Sequence, residues 1–331
     1  MKTEKITEIA LLLYPECQMS AIYGLTDLFR IANEWATYPH QDDRHSDNHI
    51  RVTHWQLDPV LESIECCWDS DPADAHQPTF AIVPPSVAMP DRMSAMPHEA
   101  AWLKGLHRNG VIVCSVCAGA FVLAQTGLLA RRRITTHWAF AELLSRTCPD
   151  SQVVTENVVI DDGDVITSGA ILAWNDLGLL IVDRIMGASV MLATSRFMLS
   201  EGVRENQRSF QGFVPRLDHD DETILLIQHY ILSAPGLNHR IFSLSERSYL
   251  TERTFIRRFQ KATGLNPAEY VRQVRMSRAR DALQLGDRPV TQIAAELGYD
   301  DASSFRKAFQ SVVGMTPTDY REHFRVRRGH R

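Results

Sequence analysis

The 331-residue sequence predicts two domains of different class. The first is an α/β domain with a mostly parallel sheet, because apolar runs alternate with amphipathic stretches over roughly the first 200 residues. The second is an all-α domain with two helix-turn-helix units, because one block recurs with a fixed offset of 50 positions.

Charge is divided between the two domains in the same way. Residues 222–331 hold 18 Lys and Arg against 11 Asp and Glu, whereas residues 1–221 hold 17 against 29. A basic domain on an acidic body is typical of a chain that binds a polyanion at one end.

The elements of the first domain follow from hydrophobic periodicity. The apolar run at 6–14 predicts a buried parallel strand, and the amphipathic stretch at 21–33 predicts a helix. Further strands are predicted at 50–57, 80–83 and 111–114, and further helices at 98–108, 118–129, 171–186 and 189–199. Residues 153–168 predict a β-hairpin with Asp162 and Gly163 at its turn.

The strand-to-helix junction at residues 113–120 has the form of a nucleophile elbow centred on Cys117. The small residues Ala118, Gly119 and Ala120 follow, and they allow close backbone packing behind the cysteine. We expect the thiol to stand exposed above the sheet at a helix N-terminus, where the helix dipole favours the thiolate. All six cysteines lie in the first domain and are expected to be free thiols.

This elbow, together with His137 in the run Thr135-Thr136-His137-Trp138, resembles the ThiJ/PfpI or class-I glutamine-amidotransferase-like family. The resemblance covers about residues 6–200 and implies a flavodoxin-like fold in which Cys117 takes the nucleophile position. Ala118 stands where some members carry histidine, Met19 stands where others carry glutamate, and no His-x-Glu triplet follows Cys117. The catalytic set is therefore incomplete, and we expect no enzyme activity, no metal and no cofactor.

A ligand pocket is expected instead, since parallel sheets bind ligands beyond the carboxyl ends of their strands. Tyr14, Trp138 and Trp174 could form an aromatic wall at that edge, which suits a cationic amine. The predicted ligand-binding residues are Tyr14, Met19, Pro85, Cys117, Ala118, His137 and Trp138. Three alternatives stay open: His137 as a structural histidine, Cys117 as a redox sensor, and the domain as a thiol-dependent hydrolase or amidase.

Residues 201–221 carry few apolar positions and are interrupted by Pro215, so they predict a linker. The expected bounds are 1–205 for the sensing and dimerisation domain, 206–221 for the linker and 222–331 for the DNA-binding domain. The helix-turn-helix units are expected at about 240–264 and 290–314.

The repeat places one predicted recognition helix in each unit, at 252–263 and at 302–313. The residues that recur at the offset of 50 are Phe255, Phe259, Gly264, Pro267 and Tyr270, matched by Phe305, Phe309, Gly314, Pro317 and Tyr320. A helix at 267–285 joins the units. At ~1.5 Å per residue it spans roughly 28 Å, close to the ~34 Å turn of B-DNA. The predicted DNA contacts are Arg253, Thr254, Arg257, Arg258, Ser303, Ser304, Arg306 and Lys307.

These motifs resemble the DNA-binding domain of the AraC/XylS family. One departure is Ser245, which we match to the small Ala295 of the second unit. The two domains together resemble the GlxA-type branch of that family. The resemblance implies a cytoplasmic, homodimeric transcriptional regulator with double-stranded DNA, a small-molecule inducer and RNA polymerase as partners. Known inducers in the branch are small amines and amino-acid-like or quaternary ammonium compounds. No run is long and apolar enough to predict a membrane span or a signal peptide.

Overall fold

The computed structural model describes residues 5–37, 47–72, 75–200, 202, 204, 206–237 and 239–325. The chain divides into two compact units, Met1–Gln207 and Arg208–Arg331, here called the N-terminal and C-terminal units. Residue 205, the expected end of the first domain, lies outside the described residues. Within the described ranges, no helix is both long enough and apolar enough to cross a membrane.

A seven-stranded sheet forms the centre of the N-terminal unit in the described residues, in the order β3-β2-β1-β4-β5-β9-β8. The four central pairings are parallel, and only the edge strands β3 and β8 pair antiparallel. This confirms the predicted mostly parallel α/β architecture. The strands are β1 (Lys5–Leu13), β2 (Asn48–Asp58), β3 (Ser63–Asp69), β4 (Pro78–Val83), β5 (Ile112–Val116), β6 (Arg133–Ile134), β7 (Gln152–Val153), β8 (Val159–Asp161) and β9 (Val165–Ser168).

Helices cover the sheet and bury their apolar faces against it. They are α1 (Met19–Thr37), α2 (Pro97–Arg108), α3 (Gly119–Ala124), α4 (Ala141–Thr147), α5 (Trp174–Met186) and α6 (Ala188–Phe197). Two predictions were wrong in extent. The helix expected at 118–129 ends at Ala124, because successive i→i−3 hydrogen bonds replace the α-helical pattern from Gln125 onward. The hairpin expected from residue 153 contains only β8 and β9, since Val153 lies in β7 and pairs with Ile134.

The C-terminal unit is helical in its described part. Its helices are α7 (Glu222–Ser233), α8 (Ile241–Arg247), α9 (Glu252–Thr263), α10 (Pro267–Leu285), α11 (Val290–Glu296), α12 (Ala302–Val313) and α13 (Pro317–Phe324). Three of them, α9, α10 and α12, begin and end at the predicted residues. Thr251, Asn266 and Asp301 cap their N-termini by accepting hydrogen bonds from backbone N–H groups, which explains why those starts were predictable.

Two small hydrophobic cores hold the helix-turn-helix units, and α10 contributes to both. Its first half places Tyr270 and Val274 against Phe255 and Phe259 of the first unit. Its second half places other apolar side chains, among them Leu283, in the core of the second unit. The helix is therefore a shared wall rather than a free connection, and it fixes the separation of the two units.

The turn of the first helix-turn-helix unit is one residue shorter than that of the second. The Leu250 N–H donates to the Ser245 carbonyl, as the Tyr299 N–H donates to the Ala294 carbonyl. Ser245 therefore corresponds to Ala294, at an offset of 49, and the match to Ala295 was wrong. Downstream of the turn the offset returns to 50.

Candidate nucleic-acid interface and elbow site

The two predicted recognition helices, α9 and α12, each bury two phenylalanines and expose a polar face. On α9, Arg253 and Arg257 are exposed while Phe255 and Phe259 are fully buried. Positions 253, 257, 260 and 261 share one helical face, which adds Gln260 and Lys261 to the predicted set. The periodicity that located the arginines also identifies these two residues.

The same pattern recurs on α12, where Ser303, Arg306 and Lys307 are exposed and Gln310 continues their face. Ser304 has a different position, at the start of the helix. Its backbone N–H and its hydroxyl donate to the two carboxylate oxygens of Asp301, at 2.8 and 2.7 Å. The Ser304 backbone N–H is the main cause of the lowered pKa of Asp301. Ser304 thus stabilises the helix start that presents Arg306 and Lys307.

Thr254 and Arg258 of α9 are likewise engaged within the protein. The Thr254 hydroxyl lies 3.0 Å from that of Thr251, the N-cap residue. Arg258 makes two hydrogen bonds to Asp221, the N-cap of α7, at 2.9 and 2.6 Å. These guanidinium contacts are the main cause of the lowered pKa of Asp221. Arg258 therefore ties α7 to α9, and its contact with DNA stays a prediction.

A contact between the two helix-turn-helix units fixes their spacing. Arg275 of α10 donates to the carbonyls of Pro235 and Leu237 ahead of α8, both at 3.0 Å. The same guanidinium lies 5.4 Å from the ring centroid of Tyr299 in the second unit. Gly236 lies so close to the carbonyl of Glu296 that a Cβ atom would collide with it. The two faces of basic residues are consequently held on one rigid frame.

The elbow of the N-terminal unit has the backbone geometry that the motif predicts. Cys117 follows β5 with a φ of 54°, a conformation that is strained for a residue with a side chain. The Cys117 N–H donates to the Ser168 carbonyl at the end of β9. Behind the cysteine, a Cβ atom on Gly119 would lie 2.6 Å from the carbonyl oxygen of Pro84, which shows the close packing expected of the small residues.

The thiol itself does not stand exposed, and that expectation was wrong. Cys117 is 3% exposed, and burial raises the pKa of its thiol to about 11, although backbone N–H groups of Ala118 and His137 lower it in part. The helix that follows has only six residues, so its dipole cannot offset the desolvation of a thiolate. The raised pKa favours the neutral thiol over the thiolate near pH 7.

The imidazole of His137 is engaged away from the cysteine. Its Nδ1 accepts the Ala139 N–H at 3.1 Å and so caps a short 3-10 helix, Trp138–Phe140. The ring lies 5.2 Å from that of Trp138, and burial lowers the pKa of the imidazole. The backbone of His137, rather than its side chain, approaches Cys117.

The remaining predicted ligand-binding residues differ in exposure. Tyr14 is buried, and its hydroxyl donates to the Pro84 carbonyl at 2.7 Å. Pro85 and Ala118 are also buried, whereas Met19 is 41% exposed. Burial raises the pKa of Tyr14, and the neighbouring thiols of Cys17 and Cys117 raise it further. Tyr14 and Cys117 thus lie near each other at this edge of the sheet, and their contact with a ligand stays a prediction.

Two polar side-chain atoms are buried at the same edge of the sheet, one on Gln18, which the sequence did not single out, and one on Trp174, which it placed in an aromatic wall. Gln18 follows β1 and Trp174 follows β9, so both lie beyond strand carboxyl ends. In the described structure, the Gln18 Oε1 and the Trp174 Nε1 are buried without a hydrogen-bond partner. Such atoms are rare in folded proteins and are commonly satisfied by water or a ligand. No motif in the sequence marks Gln18.

Family comparisons agree with both halves of the structure. Residues 244–323 match a helix-turn-helix domain model, and residues 63–184 match the DJ-1/PfpI family. The chain is a DNA-binding regulator that joins a DJ-1/PfpI domain to an AraC-type helix-turn-helix domain. This confirms the two family resemblances and the DNA-binding transcriptional regulator that they imply.

The regulator is similar to named transcriptional regulators over two thirds of its length. It is 28% identical to the HTH-type transcriptional regulator ArgR of Pseudomonas aeruginosa, over 67% of this chain and 68% of that protein. It is 24% identical to the HTH-type transcriptional regulator GlxA of Rhizobium meliloti, over 66% of this chain and 68% of that protein. A crystal structure of a putative transcriptional regulator from Vibrio parahaemolyticus covers 59% of this chain and 100% of that one, with 19% identity and a TM-score of 0.46.

Proposed function

We propose that the N-terminal unit of this regulator binds a small amine or amino-acid-like metabolite without transforming it, and that binding changes how the C-terminal unit engages its operator. The observation that carries the sensing role is the pair of buried, unpartnered atoms on Gln18 and Trp174. A ligand ammonium can donate to the Gln18 Oε1, and a ligand carboxylate can accept from the Trp174 Nε1. The proposed site includes the predicted residues Tyr14, Met19, Pro85, Cys117, Ala118, His137 and Trp138.

The surroundings of Cys117 support a binding role over a catalytic one. A thiol nucleophile needs a neighbouring base or a lowered pKa. Burial instead raises the pKa of Cys117, and the His137 imidazole is committed to a backbone N–H. The elbow keeps its strained backbone without an activated thiol, which supports a role for Cys117 in lining a binding pocket.

Ligand binding is tested by thermal unfolding of the full chain against amines, amino acids and quaternary ammonium compounds. Tryptophan fluorescence reports the N-terminal unit alone, because all six tryptophans lie in it. A ligand present at 100-fold its dissociation constant stabilises the unit by ~2.7 kcal/mol. Trp174→Phe removes the indole N–H and is expected to reduce the shift, whereas Trp102→Phe is a matched control in α2. An equal shift in both variants would remove the site from this edge of the sheet.

For DNA, we propose that Arg253, Arg257, Arg306 and Lys307 contact phosphates and base edges, with Ser303 beside them on α12. Exposure of all five and the common frame of α10 support this assignment. We propose that Thr254 and Ser304 contribute to DNA binding at the starts of α9 and α12. Arg258 is proposed to contribute from its contact with Asp221, the N-cap of α7. We also propose that the chain works as a homodimer and contacts RNA polymerase from the promoter.

Operator binding is tested with a duplex that the wild-type chain selects from a random-sequence pool. Arg257→Ala and Arg306→Ala are each expected to weaken binding by about tenfold or more, since a lost base contact costs ~1–3 kcal/mol. Lys104→Ala removes one exposed positive charge from the N-terminal unit and serves as control. Unchanged affinity in both arginine variants would place the DNA contact on another face. Light scattering of the free and DNA-bound chain measures the oligomeric state.

A further inference from the structure

Gln207, the last residue of the N-terminal unit, has its side chain fully inserted into that unit. It is 2% exposed, and its Nε2 lies within hydrogen-bond distance of Thr135 Oγ1, the Thr136 carbonyl and the Asn157 carbonyl, at 3.3, 3.2 and 3.0 Å. A Cβ atom on Gly169 would collide with this amide, so the glycine makes room for it. A glutamine that is buried in this way is an anchor for the backbone that carries it.

The backbone that leads up to Gln207 is held as well. The Gln207 N–H donates to the Glu156 carbonyl at 2.8 Å, and Asn206 forms an antiparallel bridge with Asn157. Arg204 binds Asp176 of α5 through its backbone N–H at 2.7 Å and through its guanidinium at 2.6 Å. Asp176 is fully buried, so this pair is expensive to break by removing one partner. Together, Arg204 and Gln207 form what we call the linker anchor.

One peptide group joins the linker anchor to the elbow. The carbonyl of Thr136 accepts from the Gln207 Nε2, and the N–H of the same peptide, on His137, approaches the Cys117 sulfur. The Thr136 hydroxyl also donates to the Cys117 carbonyl at 2.8 Å. Because a peptide group is planar and rigid, displacing its N–H end also displaces its carbonyl end.

We propose that Gln207 couples the elbow site to the segment that leads into the DNA-binding unit. This rests on the proposed function, since a ligand above Cys117 supplies the displacement. A ligand that draws the His137 N–H away from the sulfur turns the Thr136–His137 peptide and releases Gln207. The released residue precedes Arg208, whose carbonyl is held by Arg280 in the C-terminal unit. Occupation of the elbow thereby changes the freedom of the linker at Gln207.

The coupling is tested without any inducer or operator, by alkylation of the native full chain with iodoacetamide. Gln207→Glu replaces a donor with a carboxylate that faces three acceptor oxygens, and it is expected to speed Cys117 labelling about tenfold. Gln207→Ala is expected to act in the same direction. Gln152→Glu is the matched control, because Gln152 is exposed on β7. Cys114, fully buried on the preceding strand, reports general loosening within the same sample.

We expect Cys117 to be labelled faster in the Gln207 variants than in the wild type, while the labelling rate of Cys114 stays unchanged. Equal acceleration of both thiols, or no acceleration in either Gln207 variant, would overturn the coupling.

The reverse measurement uses Cys117→Ala, which removes the acceptor of the His137 N–H. Coupling is reciprocal, so trypsin should cleave after Arg208 several-fold faster in that variant, relative to cleavage after Arg257. An unchanged ratio would also overturn it. Neither readout depends on a metabolite, so a failed ligand screen leaves both measurements informative.

Discussion

At the scale of single residues, His54 shows how a hydrogen-bond network selects one state of a side chain. The Thr26 hydroxyl donates to the Ile22 carbonyl at 2.8 Å, so it must accept from the His54 Nε2 at 2.9 Å. The Nε2 nitrogen therefore carries a proton, and in the neutral ring this selects the Nε2 tautomer. Its ring centroid lies 4.4 Å from that of Trp68, and burial lowers the pKa of His54 to about 4. Thr26, His54 and Trp68 line a cleft of about 770 Å³ between α1, β2 and β3.

The neutral state of His54 makes the stability of the N-terminal unit fall with acid. In the unfolded chain its pKa is about 6.5, so the unfolded state takes up the proton first as pH drops. The stabilisation is complete above pH ~6.5, and about 2 kcal/mol of it is lost by pH ~5. We expect the midpoint of tryptophan-monitored unfolding to fall between pH 7.5 and pH 5, and to fall less in His54→Gln. Parallel curves for the two chains would contradict this, because the other titratable groups of the cleft are common to both.

Arg257 and Arg258 are neighbours with separable effects. Arg258 binds the carboxylate that caps α7, whereas Arg257 is exposed with no partner in the described residues. Arg258→Ala is expected to cost ~1 kcal/mol and to speed hydrogen exchange along α7, while Arg257→Ala weakens DNA binding and leaves exchange unchanged. The pKa of Asp221 is lowered in the folded state. The stability lost in Arg258→Ala is therefore complete above pH ~4 and shrinks as pH falls through the lowered pKa. Equal exchange rates in the two variants would refute the α7 assignment.

Residue identity predicted the position of Cys117 but not its chemistry. The small residues after it and the strand before it are visible as a pattern, so the elbow could be predicted. The burial of the thiol depends on where Tyr14 and the Thr136–His137 peptide pack, and these contacts join segments far apart in the chain. The burial of the Gln18 and Gln207 side chains likewise depends on tertiary contacts between segments far apart in the chain.

At the scale of elements, the turns of the two helix-turn-helix units solve one problem with different residues. Each needs a residue with positive φ between its two helices. The second unit has Gly298 there at 76°, and the first has Tyr249 at 55°. Tyr249 is 96% exposed, so its side chain offsets little of the strain. The first unit therefore carries a strained turn where the second carries a relaxed one.

Exchanging the residue types should have opposite effects on stability. Tyr249→Gly is expected to stabilise the C-terminal unit by about 1 kcal/mol, because glycine adopts positive φ freely. Gly298→Ala is expected to destabilise it by more, since its Cβ atom would also lie 2.5 Å from the Gly236 carbonyl oxygen. Thermal unfolding followed by far-ultraviolet circular dichroism measures both. Destabilisation by Tyr249→Gly would mean that the exposed ring contributes a contact absent from this structure.

The elements that sequence predicted to the residue are those bounded by local chemistry. Helices α9, α10 and α12 start at capping side chains, and two of them end at glycines with positive φ. Strand β3 was missed because an edge strand buries little and shows no regular alternation. Strands β6 and β7 have two residues each and are too short to show hydrophobic alternation. Tertiary pairing, rather than propensity, forms all three.

At the scale of the whole molecule, the division of charge predicts how DNA binding responds to salt. The C-terminal unit carries the excess of Lys and Arg, and the chain before it is strongly acidic. Binding should weaken steeply and linearly on logarithmic axes as salt rises, through release of counterions from the duplex. Lys307→Ala should reduce that slope by about 1, while Lys104→Ala should leave it unchanged. A flat response in fluorescence anisotropy titrations would show that exposed cations do not carry the affinity.

The close approach of Gly236 and Gly298 has a consequence for how such chains diverge. A side chain at either position would push the two helix-turn-helix units apart, because the nearest atom at each is a backbone carbonyl oxygen. In a lineage of related sequences, the two positions are therefore expected to stay small together or to change together. A sequence with a bulky residue at one of them should have lost the Arg275 contact as well, and with it the fixed spacing of its two recognition helices.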